Sequence, residues 1–294
     1  MTKGILIIGA GHRNYGKMAV TLAASIRMVD KDVNICLAYT DSAITHLTDE
    51  ELDLFTDMVK IPKKYHTLGA NKQAFIKIKV FMDKLSPYDE TLFLDADQVW
   101  LWKDTPTNVM AQLEQHDYVI ENSGYVCFDN FIYPASENWC DMKEVQEGYA
   151  FTDERFYKVH SEFVYFKRTE DISTLFDKVR EVYNLPLVKP KEFAGAYPDE
   201  FAFAIAMSQL KRYPIDNYTP TFWYPREKKD VHLHQIADTY KTLSIGGSFV
   251  DDASKKNYNA VAIRAYNELG LKAKPYQITA RMDKRYYLPE RTKE

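Results

Sequence analysis

The stretch Glu90-Thr-Leu-Phe-Leu-Asp-Ala-Asp-Gln-Val-Trp-Leu101 decides the fold assignment. Its apolar run over residues 91–94 predicts a strand buried on both faces. That run ends in two carboxylates, Asp95 and Asp97, and ligands of open α/β sheets bind at the carboxyl ends of strands. Hard cations such as Mg²⁺ and Mn²⁺ take carboxylate oxygens together with substrate phosphates. The stretch therefore predicts a metal-diphosphate site at Asp95 and Asp97, although an isolated Asp-x-Asp is more often a solvated turn or a helix cap.

The longer run Leu85-Ser-Pro-Tyr-Asp-Glu-Thr-Leu-Phe-Leu-Asp-Ala-Asp97 resembles the signature of nucleotide-sugar-dependent glycosyltransferases of the GT-A fold. It is most similar to the glycogenin and bacterial lipopolysaccharide hexosyltransferase family, whose Asp-x-Asp holds Mn²⁺ on a UDP-sugar. The match is strong over residues 72–105 and weaker, but in the right order, over residues 4–225. The resemblance implies an α/β domain of GT-A type over residues 1–250, with a mostly parallel central sheet flanked by helices. Residues 251–294 would form a C-terminal helical extension that packs on this core.

Composition bounds the class of protein. A chain of 294 residues can bury one substantial core, and 46% apolar with 27% charged residues is ordinary for a globular protein. The net charge of −4 gives no reason to expect a nucleic-acid partner. The three cysteines, Cys36, Cys127 and Cys140, show no metal spacing and favour a reduced, cytoplasmic compartment. The apolar run at residues 4–9 is too short for a signal peptide, and no run of about 18 apolar residues predicts a membrane span.

The chain begins with the pattern of a nucleotide-binding βα unit. An apolar run over residues 5–8 is closed by Gly9-Ala-Gly11 and followed by a helical pattern. Asn14 stands where a dinucleotide fingerprint needs its third glycine, which excludes a Rossmann dehydrogenase. Further along, we expect a strand over residues 33–39, an amphipathic helix over residues 49–59 and a second helix over residues 75–85. Residues 122–158 are the least patterned part, and form either an acceptor loop or an unpatterned surface excursion.

The resemblance also assigns residues to the donor nucleotide. Phe75-Ile-Lys-Ile78 is similar to the family pattern Phe-x-Lys-Leu, whose lysine approaches the donor diphosphate. On that resemblance Lys77 is a phosphate contact, with Lys72 a weaker candidate, although the lysines of a helix are by default a solvated face. Tyr15 would stack on uracil or line its pocket.

Two adjacent acids open a helix later in the chain. In Tyr197-Pro-Asp-Glu200 a proline precedes Asp199 and Glu200, and this is a good helix start that would alone explain both acids. The family, however, has an Asp-Gln pair near the sugar at the equivalent helix. The resemblance therefore makes Asp199 the first candidate, and Glu200 the second, for orienting the donor sugar or stabilising the developing cation. Ser161 matches a serine of the family's Asn-Ser-Gly, but a glutamate follows it where the family has glycine.

The last informative stretch is Val231-His-Leu-His-Gln235. Its alternation predicts an edge-like strand with His232 and His234 on one face. Such histidines more often pack or cap than bind metal, but the family takes its third metal ligand from a late histidine in His-Phe-x-Gly-x-x-Lys-Pro. The resemblance makes His234 the third ligand, His232 the alternate and Lys241 a phosphate contact. Here alanine replaces the glycine, the lysine falls one place late and the proline is missing.

Together these features predict a metal-dependent transferase that moves a hexose from a UDP-sugar to an acceptor hydroxyl, with Mn²⁺ or Mg²⁺ as cofactor. Similarity to a retaining family implies retention at the anomeric carbon. The acceptor, whether glycan, lipid or protein, and the oligomeric state are not disclosed by the sequence. Two alternatives stay open: a sugar nucleotidyltransferase, which would normally have a longer Gly-rich loop after the first strand, and a catalytically inactive carbohydrate- or nucleotide-binding protein on the same scaffold.

Overall fold

The computed structural model describes residues 1–68, 72–127, 140–149, 151, 155–192, 195–223, 232–246 and 252–278. The chain folds as two compact units, each built from separate stretches of sequence. Unit 1 comprises Met1–Ile61, Ser86–Gln115 and Pro220–Glu294, and unit 2 comprises Pro62–Leu85 and His116–Thr219. None of the described helices is long and apolar enough to cross a membrane.

With elements numbered along the chain, the strands of unit 1 are β1 (Lys3–Gly9), β2 (Asn34–Tyr39), β3 (Asp57–Lys60), β6 (Glu90–Leu94), β7 (Gln98–Trp100), β10 (Thr221–Trp223) and β11 (Thr242–Ser244). Four of them are parallel, in the order β3-β2-β1-β6, with Ile5 of β1 opposite Ile35 on one side and Leu92 on the other. A smaller sheet has the order β10-β11-β7, in which β10 and β11 are parallel and β11 and β7 are antiparallel. Its helices are α1 (Arg13–Val29), α2 (Asp41–Ile44), α3 (Asp49–Leu52), α5 (Pro106–Leu113), α9 (Leu233–Thr239) and α10 (Asp252–Leu269).

The core of unit 1 follows from the apolar runs of its strands. All five residues of β6 are buried, and Ile5, Leu6 and Ile7 of β1 have no exposed surface. Such continuous apolar strands are typical of parallel sheets covered by helices. Helix α1 packs against α10, whose inner face buries Tyr258, Val261, Ala262, Ala265 and Tyr266. Helix α10 lies within the stretch of residues 251–294, and the division of the chain at residue 250 into a domain and an extension stays a prediction.

Unit 2 contains the antiparallel pair β8 and β9, which is interrupted by irregularities between Ile120 and Glu121 and between Asn122 and Tyr125. Its strands are β4 (Thr67–Leu68), β5 (Lys72–Gln73), β8 (Tyr118–Cys127) and β9 (Arg155–Lys167). Its helices are a 3₁₀ helix (Phe75–Phe81), α4 (Met82–Leu85), α6 (Met142–Tyr149), α7 (Glu170–Asn184) and α8 (Asp199–Gln209), besides a single 3₁₀ turn (Lys63–Tyr65). The predicted helix over residues 75–85 is therefore mostly 3₁₀. Much of the unpatterned stretch, residues 128–139 among it, lies outside the described residues.

Two secondary-structure predictions were wrong. The helix predicted over residues 49–59 ends at Leu52, because the chain then pairs in parallel with β2 as strand β3. Just before β3, Thr56 N–H donates to Ile35 O (2.8 Å). A local helical pattern thus yields to non-local strand pairing. The strand predicted at residues 231–235 is instead the start of α9, although residue 231 itself lies outside the described part. There the Gln235 side chain accepts from His232 N–H (3.3 Å), as at many helix starts.

Gly16 in α1 meets α2 more closely than any side chain allows. A Cβ added there would lie 1.8 Å from the Ala43 carbonyl oxygen. We therefore expect Gly16→Ala to force the two helices apart and to lower the free energy of unfolding by about 1–3 kcal/mol, the usual cost of overpacking. Urea titration measures the change. Arg13→Ala, at an exposed position of the same helix, is the control; equal midpoints for the two variants would contradict the packing described.

Candidate active site

Asp95 and Asp97 lie directly after β6, at its carboxyl end. Both side chains are partly exposed, whereas Ala96 between them is 5% exposed. The main chain here is fixed by β11, because Ile245 N–H donates to the Asp97 carbonyl (3.1 Å). A buried parallel strand thus delivers two closely spaced carboxylates to the sheet edge where ligands of α/β proteins bind.

The turn after β1 reaches the same edge, since β1 and β6 are parallel neighbours. Gly11 adopts a left-handed φ of 83°, which glycine tolerates without strain, and its N–H donates to Thr40 Oγ1 (2.9 Å). His12 caps α1 by accepting the Asn14 N–H on Nδ1 (3.2 Å). Tyr15 lies in the first turn of α1 and is partly exposed. The first turn holds no acidic residue, so the positive end of the helix dipole is not neutralised by its own side chains.

His234 and Lys241 lie at the opposite end of the β7–β11 pair. Leu101 N–H donates to Lys241 O (2.9 Å). Leu101 lies four residues after Asp97, which corresponds to about 13 Å between the two residues along an extended strand. The Lys241 ammonium pairs with Asp104 (3.0 Å). The His234 ring is exposed and sits edge-on to Trp102, with 5.7 Å between ring centroids.

The donor set at β6 can be compared with what a cation needs. Among the described residues, no three His, Cys, Asp or Glu side chains are close enough together to hold a metal ion, so His234 does not join Asp95 and Asp97. His232, the alternate, is exposed at the start of α9. Two carboxylates without further protein ligands still fit Mg²⁺ or Mn²⁺, which are commonly held by one or two carboxylates plus substrate phosphates. The pair fits a cation that arrives with a diphosphate.

In unit 2, Lys77 is used by the protein itself. Its side chain is buried, and its Nζ donates to the Thr67 carbonyl (3.1 Å) and lies 5.9 Å from the centre of the Phe81 ring. Burial lowers the pKa of the Lys77 ammonium. Lys72 is exposed and pairs with Glu192 (3.3 Å). Neither lysine has the surroundings expected of the predicted phosphate contact.

Lys79 is the lysine that reaches the polar cluster of unit 2. Its Nζ donates to Ser161 Oγ (3.2 Å), and both Lys79 and Ser161 act to lower the pKa of the buried Asp199 carboxyl. We call Lys79, Ser161 and Asp199 the relay. The sequence pattern pointed to Lys77, two positions earlier; both lysines precede an aliphatic residue, and only the geometry of the 3₁₀ helix distinguishes them.

The two acids at the start of α8 have different surroundings. Asp199 is 4% exposed, and its Oδ2 accepts no hydrogen bond from the described residues. Burial raises the pKa of Asp199, the nearby Glu200 adds to this, and Lys79 with Ser161 acts in the opposite direction. The Glu200 side chain is 27% exposed and lies 3.4 Å from His160 Nδ1. The structure therefore places Asp199 inside the relay and leaves Glu200 as the more accessible acid.

Neither models of known protein families nor curated protein sequences match this chain. Solved structures of glycosyltransferases do. The apo bifunctional glycosyltransferase WbbM superposes with a TM-score of 0.58 and 13% identity over 91% of this chain, which spans about half (51%) of the WbbM chain. The galactosyltransferase LgtC, solved with donor and acceptor sugar analogues, superposes with a TM-score of 0.51 and 9% identity, covering 97% of this chain and 100% of LgtC. Identities this low show the fold, and the predicted α/β glycosyltransferase fold of GT-A type is confirmed.

The raised pKa of Asp199 makes a prediction about stability. The folded protein retains the Asp199 proton at pH values where the unfolded chain, with a pKa of about 3.9, has lost it. Stability contributed by this proton is complete below the unfolded pKa and is lost as pH rises toward the folded pKa. Because asparagine cannot ionise, Asp199→Asn should gain stability relative to wild type as pH rises, by about 1.4 kcal/mol per unit of pKa shift.

Urea midpoints measured from pH 4 to pH 7 test this difference. Asp216→Asn, which changes an exposed acid outside the helices and strands of unit 2, is the control and should follow the wild-type profile. A constant offset between Asp199→Asn and wild type across the whole pH range would rule out the buried environment assigned to Asp199.

Proposed function

We propose that this protein is a glycosyltransferase that moves a hexose from a UDP-sugar to a hydroxyl group of an acceptor. The observation that carries the proposal is the Asp95/Asp97 pair, which ends the buried strand β6 in a fold shared with glycosyltransferases. One of these, LgtC, was solved with donor and acceptor sugar analogues, which supports a sugar donor here as well. A glycan, lipid or protein acceptor is compatible with the proposal.

Asp95 and Asp97 would hold Mn²⁺ or Mg²⁺ together with the donor diphosphate. When bound, the cation supplies Lewis-acid stabilisation of the negative charge that gathers on the leaving UDP. The protein's own contribution at this edge is a pair of fixed carboxylates and the N-terminal end of α1, whose first turn carries no acidic residue and whose dipole favours anions. Tyr15, in that first turn, is proposed to line the uracil pocket. His234 and Lys241 are left out because they lie at the far end of β7.

Within unit 2, Lys79 rather than Lys77 is proposed as the lysine that contacts an anionic ligand. The relay supports this role, because the Ser161 hydroxyl accepts a hydrogen bond from the ammonium and so holds it in place (3.2 Å). Glu200, the accessible acid, is proposed to face the sugar and to stabilise the developing oxocarbenium charge, as electrostatic stabilisation in glycosyl transfer requires. Asp199 then orients Lys79 instead of touching the sugar.

The stereochemistry and the compartment are proposals of the same kind. Retention at the anomeric carbon rests on the family resemblance alone. A cytoplasmic location is supported by Cys36, which is buried and forms no disulfide. Burial raises the pKa of the Cys36 and Cys140 thiols to about 12, so neither is reactive at neutral pH.

A panel of nucleotide sugars incubated with the protein and Mn²⁺ tests the proposed reaction. Release of UDP, accelerated by an acceptor, supports the transferase. Exchange of pyrophosphate into the nucleotide sugar would instead indicate a nucleotidyltransferase. Binding of a nucleotide sugar without either reaction would indicate an inactive binding protein. The anomer of the product, read by proton NMR, decides between retention and inversion.

Asp97→Asn should lower turnover at least about 100-fold, because one of the two carboxylates proposed to hold the charged donor is lost. The fold should persist, since the side chain is partly exposed. Initial rates of UDP release and a urea titration measure the two effects. Asp53→Asn, an exposed acid just after α3, is the matched control. Turnover that survives in Asp97→Asn would remove this residue from the site.

The two lysines of the 3₁₀ helix should separate binding from stability. Lys79→Met should lower kcat/KM about 10-fold to 1,000-fold with an unchanged urea midpoint, because a cation at the donor is lost. Lys77→Met should lower the urea midpoint, because the hydrogen bond from Lys77 to the Thr67 carbonyl is lost. It should leave kcat/KM of the folded protein within about 3-fold of the wild-type value. The reverse pattern would restore Lys77 as the donor contact.

A further inference from the structure

The segment that follows α7 in unit 2 exposes two large apolar side chains to solvent. It reads Leu185-Pro-Leu-Val-Lys-Pro-Lys191 and alternates strictly between outside and inside. The outward residues Leu185, Leu187, Lys189 and Lys191 are all exposed, and we call them the leucine–lysine ridge. The two leucines are 77% and 69% exposed, while Val188 between them and the lysines is 8% exposed and Pro190 is buried.

The ridge is held by the structure beneath it. Leu185 N–H donates to the Glu181 carbonyl at the end of α7 (3.0 Å), and Leu187 N–H donates to the Tyr149 hydroxyl (3.0 Å). Val188 packs on α6 at Gly148, where a Cβ would come within 2.8 Å of a Val188 methyl group. The leucines are therefore presented outward by a main chain anchored at three points, since turning them inward would displace Val188 and Pro190.

The charge of the ridge is positive. Among the described residues neither Lys189 nor Lys191 has an ion pair. The two nearest glutamates in sequence are already engaged, Glu192 with Lys72 (3.3 Å) and Glu181 with Lys178 (2.8 Å). Two adjacent apolar side chains beside two uncompensated lysines form a surface that is both apolar and cationic. This differs from the chain as a whole, whose net charge is −4.

We propose that the leucine–lysine ridge is a docking site for an anionic membrane surface. The interface of a bilayer offers negative headgroups above an apolar layer, and cationic side chains with adjacent leucines match both layers. The leucines insert below the headgroups while Lys189 and Lys191 bind lipid phosphates. The contact is peripheral and reversible, because two leucines and two lysines give only a modest affinity. It would bring unit 2 against the membrane.

Co-sedimentation of the full chain with vesicles tests the proposal. Vesicles of phosphatidylcholine with 30% phosphatidylglycerol, roughly the charge density of an anionic leaflet, should bind the wild type, and pure phosphatidylcholine should bind it at least about tenfold less. Leu185→Ser with Leu187→Ser, and separately Lys189→Gln with Lys191→Gln, should each weaken binding about tenfold or more. Urea titration checks that both double variants fold as stably as wild type, as expected for exposed side chains.

A matched control removes one apolar and one cationic group elsewhere: Ile263→Ser on α10, 42% exposed, combined with Lys31→Gln. It should bind vesicles as wild type does. Binding that survives in both ridge variants would assign membrane contact to another part of the chain and overturn the proposal, as would equal binding to neutral vesicles. Concentration-dependent dimerisation of the wild type, lost in the leucine variant without any vesicle binding, would show that a second copy covers the ridge and would overturn it too.

Discussion

Burial of β6 on both faces is the constraint from which the candidate site follows. All five residues of β6 are buried, and its one acid, Glu90 at the start of the strand, is paired with Lys3 (3.1 Å). A carboxylate without such a partner would lose its hydration inside the sheet, so Asp95 and Asp97 come only after the strand has ended. The next segment returns as β7, pairs with β11, and so fixes the main chain of Asp97 through Ile245. Two carboxylates are thereby held at a defined edge by packing and main-chain hydrogen bonds.

The same reasoning separates the acids of unit 2. Asp199 lies in the interior, where a charge is costly, whereas Glu200 lies one residue further and is more accessible. The Ser161 hydroxyl accepts a hydrogen bond from the Lys79 ammonium and fixes its position. Burial thus gives two adjacent acids of the same helix start very different surroundings.

Local sequence patterns foretold the elements that packing enforces. The runs that became β1, β2 and β6 are mainly apolar, as is typical of buried parallel strands, and their assignment and that of Asp95 and Asp97 to a strand end were correct. The helix predicted over residues 49–59 failed because β2 offers a pairing edge that no local pattern reveals. The stretch with His232 and His234 failed for the opposite reason: five alternating residues are too few to outweigh a helix start supported by Gln235.

The site residues could be foreseen only in part. The resemblance to a family pattern selected Lys77, whereas the 3₁₀ geometry of Phe75–Phe81 brings Lys79 to Ser161, and that geometry could not be read from the sequence. The position of Lys241 depends on the β7–β11 register, a non-local property. The central claim is that the carboxylates after β6 hold a nucleotide diphosphate through a divalent cation. Calorimetry of UDP binding tests it most directly: we predict binding that requires Mn²⁺ and is abolished in Asp95→Asn with Asp97→Asn, whereas UDP binding that is absent, or indifferent to both manganese and these substitutions, would contradict it.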